Sequence, residues 1–201
     1  SPFIPNKENE KKIEIFFEKF KINGICFCDK GVCSMYSSGR FTGIVHGSGE
    51  NRTYYYPVFD GFEIKSGMSY MNFGGGDINE YLYILLMGKD IEFCGLNQSE
   101  AMEIVREIKE KCCYVSLNYE EGIRDIEEIK YELPDGNMIS LKKERIQCCE
   151  YMFEPGLFGY SKIEVGVGVK LFDCINEMDI NIKRNLLNNI ILSGGNTLLK
   201  G

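Results

Sequence analysis

The chain has little positive charge and no long apolar stretch. Its 23 Lys and Arg residues against 30 Asp and Glu give a formal charge of −7 and a pI near 5.0. Nucleic acids and anionic membranes are usually bound through a basic face, so this balance argues against both as partners. No apolar run approaches the ~18 residues that span a bilayer. The opening SPFIPNKENEKK has charged residues where a secretory signal peptide has an apolar centre.

Paired metal ligands are also scarce. The nine cysteines are odd in number, none form a C-x-x-C pair, and His46 is the only histidine. A zinc site normally needs paired ligands at short spacing. We therefore predict no metal site, and free, partly buried thiols in a reducing compartment.

What is present is ordinary for a globular protein: 201 residues, 44% hydrophobic and 26% charged, enough for one or two domains. GICFCD, residues 24–29, reads as a short strand, and KGVCSMYSSG as either a second strand or a short helix. RFTGIVH (40–46) and RTYYYPVF (52–59) are rich in β-branched and aromatic residues. They are predicted to pair as a hairpin across GSGEN.

Three helices are predicted in the first two thirds of the chain, over about 8–21, 77–88 and 97–115. Asp77 with Glu80, and Asn97 with Glu100, have the spacing of a capping box at a helix start. The apolar faces that these helices should bury are Ile13, Phe16, Phe17 and Phe20; Ile78, Tyr81, Leu82 and Leu85; and Ala101, Ile104, Val105, Ile108 and Cys112.

The last third predicts a strand–turn–strand in YELPDGNMISL, with Pro134, Asp135 and Gly136 in the turn. Helical patterns follow near 143–152 and 168–187. Ile190, Ile191 and Leu192 form an all-apolar run, which is typical of a strand covered on both faces. Helices mixed with covered strands predict an α/β fold. The chain ends on a strand, Gly-Gly and a helix start, so we expect it to be a piece of a longer protein.

Four segments resemble actin and the actin-related proteins, in the same order and at nearly the same spacing. They are YSSGRFTGIV, EIVREIKEKCCYVSL, YELPDGNMISL and NIILSGGNTL. The resemblance implies part of the actin-like ATPase-domain (ribonuclease-H-like) α/β fold with an inserted α+β subdomain. Residues 1–37 would be the tail of the first lobe and a hinge helix, which makes KGVCSMYS helical. Residues 38–201 would be the second lobe, with a smaller outer subdomain over about 74–160.

In that family ATP or ADP lies in the cleft between the lobes. The hairpin turn would meet the phosphates, because successive backbone N–H groups in a tight turn form an anion site. The residues implied to contact the nucleotide are Ser48, Gly49, Glu50, Asn51, Arg52, Gly75, Arg106, Lys109, Glu110, Gly194, Gly195, Asn196 and Leu199. The residues alone also allow an ordinary hairpin, glycines needed to leave a strand, and a solvated helix face with an Arg106–Glu110 pair.

The positions that promote hydrolysis in the family differ here. The family's aspartate before the serine of the turn, which helps hold the metal's water shell, is Gly47, and its water-orienting glutamine is Lys30. A lysine has no acceptor, although it could pair with a phosphate or replace part of the charge of Mg²⁺ or Ca²⁺. His46 could be imagined as a base, but the family has methionine there, which favours a packed strand residue. We therefore assign no catalytic residue.

The resemblance implies an adenine-nucleotide-binding protein that works by cytoskeletal or complex assembly with impaired hydrolysis. The expected partners are actin or actin-related subunits and actin-binding proteins, in the cytoplasm, the cytoskeleton or the nucleus. Leu157 and Phe158 match an apolar loop that contacts neighbouring subunits, and open sheet edges predict self-association. A conventional polymerising ATPase, with Glu50 or the first lobe replacing the lost groups, is the alternative. A sugar or metabolite kinase of the same broad fold is a weaker one.

Overall fold

The computed structural model describes residues 6–89, 91, 93, 95–158 and 163–201. The helices are α1 (Asn6–Glu18), α2 (Lys30–Ser37), α3 (Gly75–Met87), α4 (Gln98–Cys112), α5 (Tyr119–Arg124), α6 (Glu144–Glu150), α7 (Val167–Asn176) and α8 (Ile180–Leu187). The strands are β1 (Gly43–Ser48), β2 (Thr53–Phe59), β3 (Phe62–Glu63), β4 (Ser69–Met71), β5 (Ile129–Glu132), β6 (Met138–Leu141) and β7 (Ile190–Ser193). Short 3-10 helices span Lys65–Gly67, Pro155–Phe158 and Gly195–Leu198.

The main sheet is mixed, with strand order β3-β2-β1-β7 and β4 alongside β2. Strands β1 and β2 form the predicted antiparallel hairpin, whereas β7 runs parallel to β1. Because Gly47 pairs with Ser193, the loop that follows β7 leaves the sheet beside the hairpin turn. A separate two-stranded sheet, β5–β6, is the predicted strand–turn–strand. The α/β fold with an additional α+β part is confirmed.

The hairpin is covered on both faces. Side chains alternate along a strand, so Ile44 and Tyr55 join the large core of α3, α4 and α6, whereas Val45, Tyr54 and Tyr56 join a smaller cluster with Met35 of α2. The prediction that KGVCSMYS is helical is confirmed. The turn between β1 and β2 is therefore held in place by two strands whose side chains are buried on both faces.

Helix α4 has the predicted start and the predicted face. The side-chain Oδ1 of Asn97 accepts the Glu100 amide at 3.0 Å, and the Glu100 carboxylate accepts the Asn97 amide at 2.9 Å. Its buried apolar residues are Ala101, Ile104, Val105 and Ile108, with Cys112 half-buried. Lys109 is buried as well, which the apolar pattern did not predict.

Two local predictions were wrong, and a third was right only in part. Residues 24–29 form no strand and pair with no other strand among the described residues, and a strand needs a partner for its backbone groups. Asp77 is not the cap of α3. Gly74 holds that position, and the Asp77 carboxylate accepts the Gly74 amide at 2.9 Å. The pattern near 168–187 is interrupted, because the Asp179 side chain accepts the Asn181 amide and starts α8.

Two predicted burial patterns were also wrong. Helix α1 forms, but its apolar face stays exposed, from 37% at Ile13 to 42% at Phe17, and Phe20, beyond the end of the helix, is 67% exposed. Strand β7 is exposed on one face, with Ile190 at 43% and Leu192 at 64%. No described segment packs over either surface, so the apolar pattern predicted the elements but not their cover.

The remaining expectations concern thiols and one loop. The eight described cysteines are free, and four of them are buried: Cys113, Cys148, Cys149 and Cys174. In the predicted contact loop at 155–162, Leu157 is 59% exposed. Residues 159–162 and the side chain of Phe158 lie outside what the structure describes.

Candidate functional site

A cavity of about 430 Å³ opens where the hairpin turn, helix α4 and the loop after β7 meet. Its walls are formed by Gly49, Glu50, Arg106, Lys109, Glu110, Gly195, Asn196, Leu198 and Leu199. All but Leu198 belong to the set that the resemblance implied. Leu198 ends the short 3-10 helix Gly195–Leu198 and lines the cavity together with Leu199. The only feature of the sequence that could have indicated Leu198 is its position next to Leu199.

A chain of buried hydrogen bonds fixes the hairpin against this loop. Asn196 Nδ2 donates to Ser48 Oγ and to the Gly49 carbonyl, both at 2.9 Å. Ser48 Oγ lies 3.0 Å from Thr53 Oγ1, which donates to the Phe73 carbonyl at 2.9 Å. Since Thr53 gives its proton to Phe73, Ser48 must donate to Thr53 and accept from Asn196. The Ser48 hydroxyl therefore makes its hydrogen bonds within the protein interior and does not line the cavity.

The backbone of the turn is tied to the start of α3. The Gly49 carbonyl accepts the Gly75 amide and the Glu50 carbonyl accepts the Gly76 amide, both at 2.8 Å. The amides of Gly75 and Gly76 are therefore committed to the turn and are not available to an anion. The Gly49 amide closes the turn onto the Arg52 carbonyl at 3.0 Å. In the described part of the chain, the amides of residues 50–52 make no hydrogen bond within the protein and can bind an anion.

The other predicted residues lie beside the cavity. Gly75 lies beneath it, where a side chain would meet Asn196 Oδ1 at 2.6 Å and Lys109 Nζ at 3.0 Å. Gly194 has φ +93, and a side chain there would collide with the Ser48 carbonyl, so only glycine allows this approach. The Arg52 guanidinium stacks over Tyr70 at 5.3 Å, and neither Arg52 nor Asn51 lines the cavity.

The α4 wall carries balanced charge. Lys109 is 4% exposed, and its Nζ donates to the Gly75 carbonyl at 3.2 Å. Burial lowers the pKa of Lys109, and the carboxylates of Glu50 and Glu110 oppose that shift. Arg106 Nε lies 3.1 Å from Glu110 Oε1, so the helix-surface pair forms and still lines the cavity. Two cations and two carboxylates beside apolar Leu198 and Leu199 suit a ligand with a flat apolar ring and hydroxyl groups.

A comparison with known protein families finds that the family described as Actin matches residues 1–201, the whole chain. The chain belongs to the actin family. Members of this family generally bind ATP or ADP with a divalent cation and associate with actin-like subunits. The cavity of this actin-family chain has the size, hydrogen-bond donors and mixed polarity that fit a nucleotide.

The same chain does not fit a divalent cation at the hairpin. A side chain at position 47 would collide with the ring of Tyr54, and the Lys30 ammonium lies 4.0 Å from that ring's centre. Mg²⁺ and Ca²⁺ prefer carboxylate oxygens. Among the residues described, no three His, Cys, Asp or Glu side chains are grouped to hold a metal.

Two further observations concern His46 and the lengths of the helices. The His46 ring packs 5.2 Å from the Tyr55 ring, and burial lowers its pKa, as for a packed strand residue. No helix in the described ranges is long and apolar enough to cross a membrane.

Proposed function

We propose that this chain is the nucleotide-holding second-lobe part of an actin-family protein that keeps ATP or ADP as a structural ligand and works by protein assembly. The observation that carries the proposal is the cavity. It brings together the turn amides, the α4 side chains and the loop after β7, which lie far apart in the sequence. In this arrangement the turn meets phosphate, Lys109 and Glu110 meet the ribose, and Leu199 covers the base.

Hydrolysis is slow in this proposal, because phosphoryl transfer depends on positioned charge and a positioned water. Position 47 has no carboxylate, and position 30 has a cation without an acceptor. Glu50 does not replace them. Its carboxylate lies over the first turn of α3, where Cβ atoms at Gly75 and Gly76 would meet it at 3.0 and 3.3 Å. This placement favours the assembly protein over the conventional ATPase.

Assembly would use surfaces that the described residues leave open. We propose that residues 1–37 belong to the first lobe and hinge, residues 38–201 to the second lobe, and about 74–160 to its outer subdomain. The exposed face of α1 and the outer edge of β7 are then contact surfaces. The partners are actin or actin-related subunits and actin-binding proteins. The sites of action are the cytoplasm and cytoskeleton, with the nucleus included for complex assembly.

The test is thermal unfolding of the full-length protein with and without ATP or ADP. A ligand at ~100 times its dissociation constant stabilises the folded state by about 2.7 kcal/mol. Arg106→Ala, in the cavity wall, should reduce the nucleotide-induced shift. Arg124→Ala is the matched control, because Arg124 also makes an exposed i,i+4 ion pair, with Glu120, but lies outside the cavity.

Three outcomes decide the proposal. A nucleotide shift that Arg106→Ala weakens and Arg124→Ala leaves intact supports the site. The absence of any shift, with magnesium or with chelator, would contradict nucleotide binding. Phosphate release at several turnovers per minute would contradict the structural-ligand proposal and favour the ATPase.

A further inference from the structure

Three residues at the turn end of the hairpin form an interlocked group, which we call the tyrosine plug: Gly47 of β1, Tyr54 of β2 and Lys30 of α2. Gly47 and Tyr54 are direct partners in the antiparallel register. Tyr54 is 7% exposed, and its hydroxyl hydrogen-bonds the side chain of Ser193 at the end of β7. The Lys30 ammonium sits over the Tyr54 ring at 4.0 Å, within the range of a cation–π contact.

Position 47 lacks a carboxylate, and the plug also leaves no space for one there. A Cβ at Gly47 would collide with Cζ, Oη and Cε1 of Tyr54, so the ring already occupies the volume of an acidic side chain. The ring and an aspartate cannot both be there. Beside the turn, the protein therefore offers an aromatic ring capped by a fixed ammonium where a divalent cation would need oxygen ligands.

The plug also places Lys30 beside the end of the hairpin that leads into the turn, because Tyr54, which Lys30 contacts, pairs with Gly47. Gly47 is followed by Ser48 and by the turn whose amides at residues 50–52 can bind an anion. Lysine binds phosphate as a point charge. The Tyr54 ring supports the ammonium from below, and Lys30 is exposed on its other side.

We propose that Tyr54 determines which form of the nucleotide is bound. It keeps a carboxylate out of position 47 and positions Lys30, so that the ammonium neutralises the phosphate and the nucleotide is taken without a divalent cation. This inference rests on the proposed nucleotide function and specifies the ionic form of the ligand.

The first test measures the interlock without any ligand, in the full-length protein. Gly47→Asp should lower the melting temperature by roughly 2–12 °C, because the ring must be displaced. In the Tyr54→Ala background, Gly47→Asp should lower the melting temperature only slightly. Tyr56→Ala is the matched control, because Tyr56 lies on the same strand and face but fills the space at Gly31. It should not relieve Gly47→Asp. Equal losses in all three backgrounds would overturn the interlock.

The second test is calorimetric titration of ATP in EDTA and in excess magnesium. Wild-type affinity should differ by less than about threefold between the two. Lys30→Gln should lose about tenfold or more in EDTA, the usual worth of a hydrogen bond to a charged group. Gly47→Asp/Tyr54→Ala should bind about tenfold more tightly with magnesium than without it, because it regains a carboxylate.

The outcomes separate the two proposals. Wild-type binding that strengthens tenfold or more with magnesium would overturn this inference and leave nucleotide binding intact. Binding that Lys30→Gln does not weaken in EDTA would also overturn it. No binding in either buffer would overturn both.

Discussion

Replacing Asn196 by alanine tests whether one side chain holds the cavity together. Its Nδ2 joins the loop after β7 to Ser48 and Gly49 across 148 and 147 residues of sequence. Each hydrogen bond contributes about 0.5–1.5 kcal/mol, so the pair is worth about 1–3 kcal/mol. The Gly49 carbonyl keeps its second donor, the Gly75 amide. Only Ser48 Oγ loses its donor, and we expect the free energy of unfolding to fall by about 2 kcal/mol.

The assay is urea and thermal unfolding followed by circular dichroism. For a chain of 201 residues, 2 kcal/mol corresponds to a melting temperature lower by about 4–8 °C. Thr197→Ala is the control, because the adjacent Thr197 hydroxyl is exposed and donates only to Gly194 within its own turn. We expect that control to lose less than about 0.5 kcal/mol.

Asn196→Asp sharpens the test. It keeps the size of the side chain but turns a donor into a buried charged acceptor facing Ser48 Oγ and the Gly49 carbonyl. It should therefore destabilise more than alanine does. The reasoning is refuted if Asn196→Ala costs no more than Thr197→Ala, or if Asn196→Asp is as stable as the wild type at neutral pH.

Three other perturbations follow from burial and exposure. Burial lowers the pKa of Lys109, so the free energy of unfolding should rise with pH between that lowered pKa and the ordinary value of about 10.4. In urea unfolding, Lys109→Met should flatten this rise and increase the free energy of unfolding by about 1 kcal/mol at neutral pH. The same variant should abolish the nucleotide-induced shift in melting temperature. Burial also lowers the pKa of His46, so stability should fall as pH drops below about 6.5, by at most about 1.4 kcal/mol per pH unit, and His46→Met should lose that slope in unfolding curves at several pH values. Leu192, 64% exposed on the edge strand β7, should promote self-association that Leu192→Lys reduces in sedimentation velocity; a monodisperse wild-type monomer at high concentration would contradict this.

The parts of the site that follow local rules could be predicted from the sequence. The Asn97–Glu100 capping box, the α4 apolar face and the hairpin each depend on residues within a few positions of one another. Motif residues from the turn, from α4 and from the loop after β7 line one cavity in the structure. The hydrogen-bond partners of individual polar groups could not be predicted from the sequence. The first amides of a helix have no partner within the helix, but at the start of α3 the carbonyls of Gly49 and Glu50 accept those of Gly75 and Gly76.

The sequence by itself determined most of the helices and strands, the buried face of α4 and the absence of an acid at position 47, because these depend on residue type and short-range periodicity. Only the tertiary structure decided that the Ser48 hydroxyl turns inward, that Lys109 is buried and that Tyr54 fills the space beside Gly47. It also decided that α1 and one face of β7 stay uncovered. These outcomes depend on which distant segments meet, and a hydrogen bond between residues 48 and 196 leaves no periodic signal along the chain.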